Sequence, residues 1–546
     1  MGPTSQAVQE SFRRFLGEMG EFFGKYSSLR ETESGLRAIA ESTRRPFNVA
    51  IFGRMKTGKS TLINALVGRP LAITGVEEAT ATINWISHGD EAQANSFIVH
   101  WKDGRSEPLP LSRMAEWAGK DEAVLARVRA TSHLELFADA DALKRVQVID
   151  TPGTGSVAEE HEKTATSFLD PRAAEDSVAE GRKADALIYV LGRVGRGSDA
   201  DALRIFREGC LPGSDPYNSV GVVHQWDDMQ CDGDILEEIE RKAERLRKDL
   251  KGVVADVIPV SGPIALLSRH APDTFFRNLA KTLEREGNET DVFLAPELWN
   301  EDDARRSLLA SYPELPFSSF RLVGRLFLKR LPGSVPEFRQ ACLDFSQITR
   351  LESFLDKRFF SQAAIIKQRQ GRVRAKALIE PAFDTLSRQI ETLRNDVAVW
   401  PKLEAAVSTS DNGLTDWVRR KTRECETELE QLDSACVRAD RFWMEERDRM
   451  EGLDGDLRMS RRMDRDSTFV DAADAELIRR LCEALCVDSP DRRQRIAGIA
   501  KLDDLTRLRR RYGAGMQAAD ADLRGLYSHL SRRLLEAASA FIEESN

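Results

Sequence analysis

Eight consecutive residues, Gly53-Arg54-Met55-Lys56-Thr57-Gly58-Lys59-Ser60, fill a G-x-x-x-x-G-K-S pattern whose residue types suit the handling of phosphate. Gly53 and Gly58 let the backbone curl, so that its amides and the amide end of a following helix face phosphate oxygens. Lys59 would bring its charge to the β- and γ-phosphates of a nucleoside triphosphate, and the Ser60 hydroxyl would ligate Mg²⁺. Lys56, Thr57 and Thr61 belong to the same binding stretch. The flanks supply the elements that must position it. Phe47–Phe52 is an apolar run that reads as a buried strand, and residues 61–67 carry an apolar face at helical spacing.

A triphosphate site needs groups beyond the loop. Val146–Ile149 reads as a short strand, and Asp150-Thr151-Pro152-Gly153 follows it directly. An acid at that strand end would support Mg²⁺, and the free amide of Gly153 would sense the γ-phosphate and let the segment move after hydrolysis. Between the two motifs lies Thr74–Asn84, where a threonine hydroxyl would reach Mg²⁺ and its backbone the γ-phosphate. Thr80 is the first choice and Thr82 the alternative. Lys59, Thr80 and Gly153 are thus the expected catalytic set, and Ser60, Thr80 and Asp150 the metal set.

Base choice falls to a third segment. The apolar run Val220–Val223 ends in His224-Gln225-Trp226-Asp227. A carboxylate at Asp227 would accept both N1–H and N2–H₂ of guanine, an arrangement adenine does not offer. Gln225 would lay its aliphatic stem on the base. Pro259-Val260-Ser261-Gly262 follows another apolar run, and the Ser261 amide would touch the guanine oxygen. The ligand expected is GTP or GDP with Mg²⁺, with adenine or loose selectivity as the alternative.

The order of these elements resembles the dynamin superfamily, and within it the bacterial dynamin-like branch related to mitofusins. The resemblance rests on Gly53-x-x-Lys56-x-Gly58-Lys59-Ser60-Thr61-Leu62-Ile63-Asn64-Ala65-Leu66-x-Gly68, on Thr74-Gly75-Val76 leading to Thr80-Ala81, and on Asp150-Thr151-Pro152-Gly153-x-Gly155-Ser156 followed by His161, Thr164 and Phe168-Leu169. It spans about 45–265. It implies GTP hydrolysis, self-association through the GTPase domain, companion subunits of the same kind, and work on membranes. Met55 stands where eukaryotic dynamins carry a water-positioning glutamine. A thioether cannot serve that role, so basal turnover should be slow and raised by dimerisation.

Composition fits a large intracellular machine. The 546 residues exceed one GTPase domain and leave material for a second body. Charged residues make up 31% and the net charge is −9, which argues against general nucleic-acid binding. The seven cysteines form no disulfide-like spacing, and Cys482 with Cys486 reads as core thiols. No apolar run approaches the length of a membrane span. These features predict a cytoplasmic protein, with any membrane contact peripheral, at the inner face and to anionic lipid.

The predicted fold is an α/β P-loop GTPase domain, doubly wound on a mostly parallel sheet, plus an elongated all-α helical bundle forming a neck and stalk. Residues 1–44 are expected to be helical and to pack with the C-terminal bundle. The GTPase domain is expected over 45–358, with a core at 45–262 and a proline-punctuated helical insertion at 263–345. Residues 359–546 should form the bundle, with breaks at Trp400-Pro401, Ser408–Gly413, Gly452–Asp456, Asp488–Asp491 and Gly513. The polar segment 452–466, with Arg458-Met459-Ser460-Arg461-Arg462-Met463, is a candidate stalk tip that could meet lipid headgroups, with a plain solvent loop as the favoured alternative. A second candidate face, Phe320, Val323, Phe327 and Leu331 beside Arg321, Arg325 and Lys329, reads better as a core helix. The basic stretch 357–376 is expected to dock on acidic helices. As function, the resemblance implies a mechanochemical GTPase that remodels or tethers membrane, whereas the acidic net charge and the lack of a strongly hydrophobic paddle favour a soluble regulatory GTPase whose bundle binds proteins.

Overall fold

The computed structural model describes residues 3–53, 57–71, 82–90, 93–117, 122–144, 146–150, 184–192, 218–228, 234–286, 303–329, 331–407, 412–466, 468–485, 491–518, 520–539 and 541. These form two compact units, residues 46–363 and residues 1–45 with 364–546.

The first unit is built on a nine-stranded sheet: β1 Phe47–Gly53, β2 Asn84–His88, β3 Ser96–Trp101, β4 Ser106–Pro110, β5 Thr131–Ala138, β6 Val146–Asp150, β7 Ala186–Leu191, β8 Ser219–Val223 and β9 Val257–Pro259. Their order is β4-β3-β5-β2-β6-β1-β7-β8-β9. The run from β6 to β9 is parallel throughout, whereas β2 joins β6 antiparallel and sets Asn84 opposite Asp150. β1 lies inside the sheet between β6 and β7 and every one of its residues is buried, which is why Phe47–Phe52 is apolar apart from Asn48. Ala50, Phe52, Ile149, Leu187 and Tyr189 enter a core with Ile239, Leu267, Phe276, Phe320 and Phe338. On the opposite side Val49, Ile51, Val148 and Ile188 line a 290 Å³ cavity with Ile63, Leu66, Leu355 and Phe360. Helices therefore lie on both faces of the sheet, as a doubly wound domain requires.

The 263–345 stretch supplies helices Gly262–His270, Asp273–Glu286, Asp303–Ala310, Phe317–Lys329 and Val335–Ser346. Phe320, Val323 and Phe327 are fully buried, so the Phe317–Lys329 face belongs to the core; Leu331, beyond the helix, is exposed.

The second unit is helical. Helices Pro3–Gly24 and Arg30–Ser42 set Phe12, Phe15, Met19, Phe23 and Leu36 against Ala375, Ile379, Leu386, Leu432 and Trp443. The last five come from two long helices, Ala363–Val407 and Asn412–Arg465. The basic stretch pairs within this unit: Arg372 bonds Glu446 at 2.8 Å, both nearly solvent-free, and Arg369 bonds Asp454. Such pairs hold register because each partner left alone would be a buried charge.

Two predicted breaks are absent. Pro401 lies inside Ala363–Val407, and Gly452–Asp456 inside Asn412–Arg465. The glycines there admit neighbours: a Cβ on Gly455 would stand 2.2 Å from the His529 ring. His529 bonds buried Asp456 at 2.8 Å, and Arg533 bonds it through two nitrogens. The Arg533 charge and the bonds from His529 and Arg533 overcome burial and hold the Asp456 carboxyl down at about 2. Met459 and Met463 are buried in a second core with Phe469, Ile478, Leu508 and Leu530. Segment 452–466 therefore continues a long helix through its glycines up to Arg465. Its methionines face protein, and its polarity serves a buried network.

Candidate nucleotide site

β1 delivers the chain into the loop. Gly58 ends it with φ at +93°, a left-handed conformation that glycine adopts freely, and the helix Lys59–Val67 starts at the next residue. A Cβ on Gly58 would stand 2.2 Å from His224 Nδ1, so glycine is required by space as well as by φ. Thr57 and Lys59 are buried, whereas Ser60 and Thr61 are half-buried in the first turn. That first turn has amides with no partner inside the helix, the feature that binds anions.

Lys59 is 5% exposed, and its Nζ donates to the Gly53 carbonyl at 3.2 Å. Burial pulls its pKa down, and the negative charge of Asp150 pushes it back up. Asp150 ends β6 and is 1% exposed. Burial drives its carboxyl up to about 6, against the pull of Lys59 and of the Asn84 amide. Neither carboxylate oxygen has a hydrogen-bond partner at bonding geometry among the described residues. A buried acid in that state is short of cationic and donor partners. Thr82, also buried, donates to Asn84 Oδ1 at 3.3 Å and so adjoins Asp150 through Asn84. Gly53, Lys59, Asn84 and Asp150 thus form one group.

The base-side segment follows β8. His224 is 1% exposed, and its Nε2 accepts the Gly262 amide at 3.2 Å. Burial lowers its pKa, partly opposed by the Asp227 charge. The ring therefore stays neutral, as an acceptor must. Gln225 takes φ of +60°, and the turn Trp226–Asp228 follows. Trp226 is fully buried against Phe345 at 5.6 Å between ring centres. Asp227 is 5% exposed and accepts a hydrogen bond from the buried Ser319 hydroxyl. The Ser261 amide donates to the Ser346 carbonyl at 3.0 Å, and the Ser261 hydroxyl caps helix Gly262–His270. That corrects the expectation for Ser261: its amide is taken by Ser346, and its part is to start a helix. Met55, Lys56, Thr80 and Gly153 lie outside the described residues.

Sequence reading missed three neighbours of the site: Asn84, Ser319 and the contact of His224 with Gly58. Asn84 was within reach, since it follows the threonines by two positions. Ser319 carries no local signal, because it meets Asp227 only through the fold.

The sequence of residues 49–204 matches the family model described as "Dynamin family". The chain is 29% identical over 261 residues to the isoniazid-induced protein IniC of Mycobacterium tuberculosis, covering 46% of this chain and 50% of that protein. It is 23% identical over 254 residues to a bacterial dynamin-like protein of Nostoc punctiforme, covering 44% of this chain and 34% of the other. The chain thus spans half or less of the length of these curated relatives. Among solved structures, a component of an oligomerised bacterial dynamin pair described as sensing and tethering membranes aligns over 98% of this chain and 89% of its own. That alignment has 14% identity and a TM-score of 0.32, so the family likeness rests on the sequence match. Over residues 49–204, the stretch that carries Lys59 and Asp150, the chain is thus similar in sequence to the dynamin family.

Proposed function

We propose that this chain binds Mg·GTP and hydrolyses it, with water as the nucleophile. The observation that carries the reading is the buried pair beneath the loop: Lys59, held on Gly53, interacts with a buried Asp150 carboxylate that lacks a hydrogen-bond partner at bonding geometry among the described residues. The chemistry of this donor set fits Mg²⁺, with Ser60 and Thr80 as ligands and Asp150 in support. When bound, the ion would draw charge from the phosphate oxygens. Lys59 and the loop amides from Lys56 to Thr61 stabilise charge that develops on the transferred phosphoryl group. Gly153 reports the γ-phosphate. Asp227 reads guanine, and Gln225 flanks the base. With Met55 in the loop, basal turnover is slow and rises when two GTPase domains associate, either as a homodimer or with a companion subunit.

Membrane action belongs to the same proposal, and the support for it lies in the helical unit. Val399 and Leu403, one turn apart, are exposed at the end of one long helix. Leu414 and Trp417 are exposed at the start of the next. Trp400 and Trp417 meet edge-on at 5.8 Å between ring centres, and Arg419 bonds Glu404 at 2.6 Å, which brings the two helix ends together. An apolar, tryptophan-bearing end flanked by Lys402, Arg420 and Lys421 suits the headgroup region of an anionic bilayer. This end takes the place first given to 452–466. No helix among the described residues is long and apolar enough to cross a membrane, so the contact proposed is peripheral, from the cytoplasmic side.

The base assignment has its own test. Asp227→Asn should weaken GTP binding tenfold or more and leave ATP binding nearly unchanged, measured by competition against a fluorescent nucleotide. Equal losses for both nucleotides remove Asp227 from base reading.

A further inference from the structure

Ser319 lies two residues into the helix Phe317–Lys329, and it is wholly buried. Its hydroxyl donates to Asp227 Oδ2 across a separation of 92 residues. Phe320, the next residue, packs in the same core as Trp226, which directly precedes Asp227. The hydroxyl is neutral, so it orients the carboxylate without cancelling its charge, and it engages one oxygen only.

We infer that Ser319 is the positioning residue that fixes the plane of the Asp227 carboxylate for guanine, and so sets base selectivity from outside the nucleotide motifs. This rests on the assignment of Asp227 as the base reader. The physical argument is geometric. Guanine presents N1–H and N2–H₂ side by side, so a carboxylate can accept both only when its plane matches that of the base. A carboxylate free to rotate keeps its charge and a single contact but loses the paired grip. Hypoxanthine lacks the 2-amino group and asks only for the single contact. Loss of the Ser319 hydroxyl should therefore cost guanosine nucleotides more than inosine nucleotides. It should leave adenosine nucleotides, which offer no N1–H, where they were.

The experiment uses the full chain and measures GDP, IDP and ADP affinity by competition against a fluorescent GDP analogue, for wild type, Ser319→Ala, Ser319→Thr and Asp227→Asn. Thermal midpoints without nucleotide are recorded for each variant. The expected result is a five- to tenfold loss of GDP affinity in Ser319→Ala, about twofold for IDP and none for ADP, with Ser319→Thr recovering GDP through its retained hydroxyl. Three results overturn the inference: equal losses for all three nucleotides, no loss at all, or a gain in GDP affinity. The first two mark a structural contact and the last a hydroxyl that occupies an acceptor the base needs. Asp227→Asn separates the two levels. If it leaves the preference for GDP over ADP intact, the base assignment fails and the role of Ser319 falls with it. If it abolishes that preference while Ser319→Ala changes nothing, the base assignment stands and only the positioning role is lost.

Discussion

Asp150 is the residue on which the chemistry of the site turns. Its carboxyl is raised to about 6 by burial, which the Lys59 charge and the Asn84 amide only partly offset. The sign for stability follows from linkage. A group whose pKa is raised on folding contributes fully at pH below its unfolded value, and that contribution is lost as pH rises through the folded value. Without nucleotide, ionised Asp150 should therefore cost the domain about 2–3 kcal/mol at neutral pH and little near pH 4. Asp150→Asn should raise the nucleotide-free thermal midpoint by about 5 °C at pH 8. The gap should shrink toward pH 5, while Mg²⁺-dependent GDP binding weakens. A variant that melts lower than wild type at pH 8 would contradict this account of the carboxylate. His224 runs the other way. Its pKa is lowered by burial, so the bond it accepts from Gly262 is complete above the ordinary imidazole value and is lost as pH falls.

Among the elements, what could be read in advance depended on how far apart the interacting residues lie in sequence. The loop was legible because its chemistry resides in consecutive backbone groups: Gly58 must take positive φ, and the helix must begin at Lys59. Asp150 was legible because a strand end places it directly. The Ser261 amide was misassigned because its partner, the Ser346 carbonyl, belongs to a helix whose packing no local pattern reveals. Gly452 and Gly455 were misread as breakers for the same reason. They admit Arg533 and His529 from a distant helix, and the long helix continues through them. Pro401 likewise fails to end its helix, which runs on to Val407. The membrane prediction therefore moves to the helix ends around Trp400 and Trp417. Leu414→Ser with Trp417→Ser should reduce co-sedimentation with phosphatidylserine vesicles several-fold and leave vesicle-free GTP turnover unchanged. Wild-type protein that stays in the supernatant would sink the membrane proposal and favour a regulatory GTPase with protein partners.

For the whole molecule, the proposal joins a nucleotide unit, residues 46–363, to a helical unit made from both ends of the described chain. The helical unit fixes its own register through buried ion pairs, Arg372 with Glu446 and Arg533 with Asp456, alongside its aromatic core. Neither pair lies among the nucleotide-site residues, so the chemistry must stand or fall on the loop, Lys59 and Asp150. The most direct test of that claim is steady-state phosphate release from GTP by the full chain, run beside Lys59→Ala with Mg²⁺ present. The account predicts slow turnover in the wild type that grows more than proportionally with protein concentration, and at least a hundredfold loss in Lys59→Ala with the fold retained. Turnover in Lys59→Ala equal to wild type would place hydrolysis elsewhere and contradict the account at its centre.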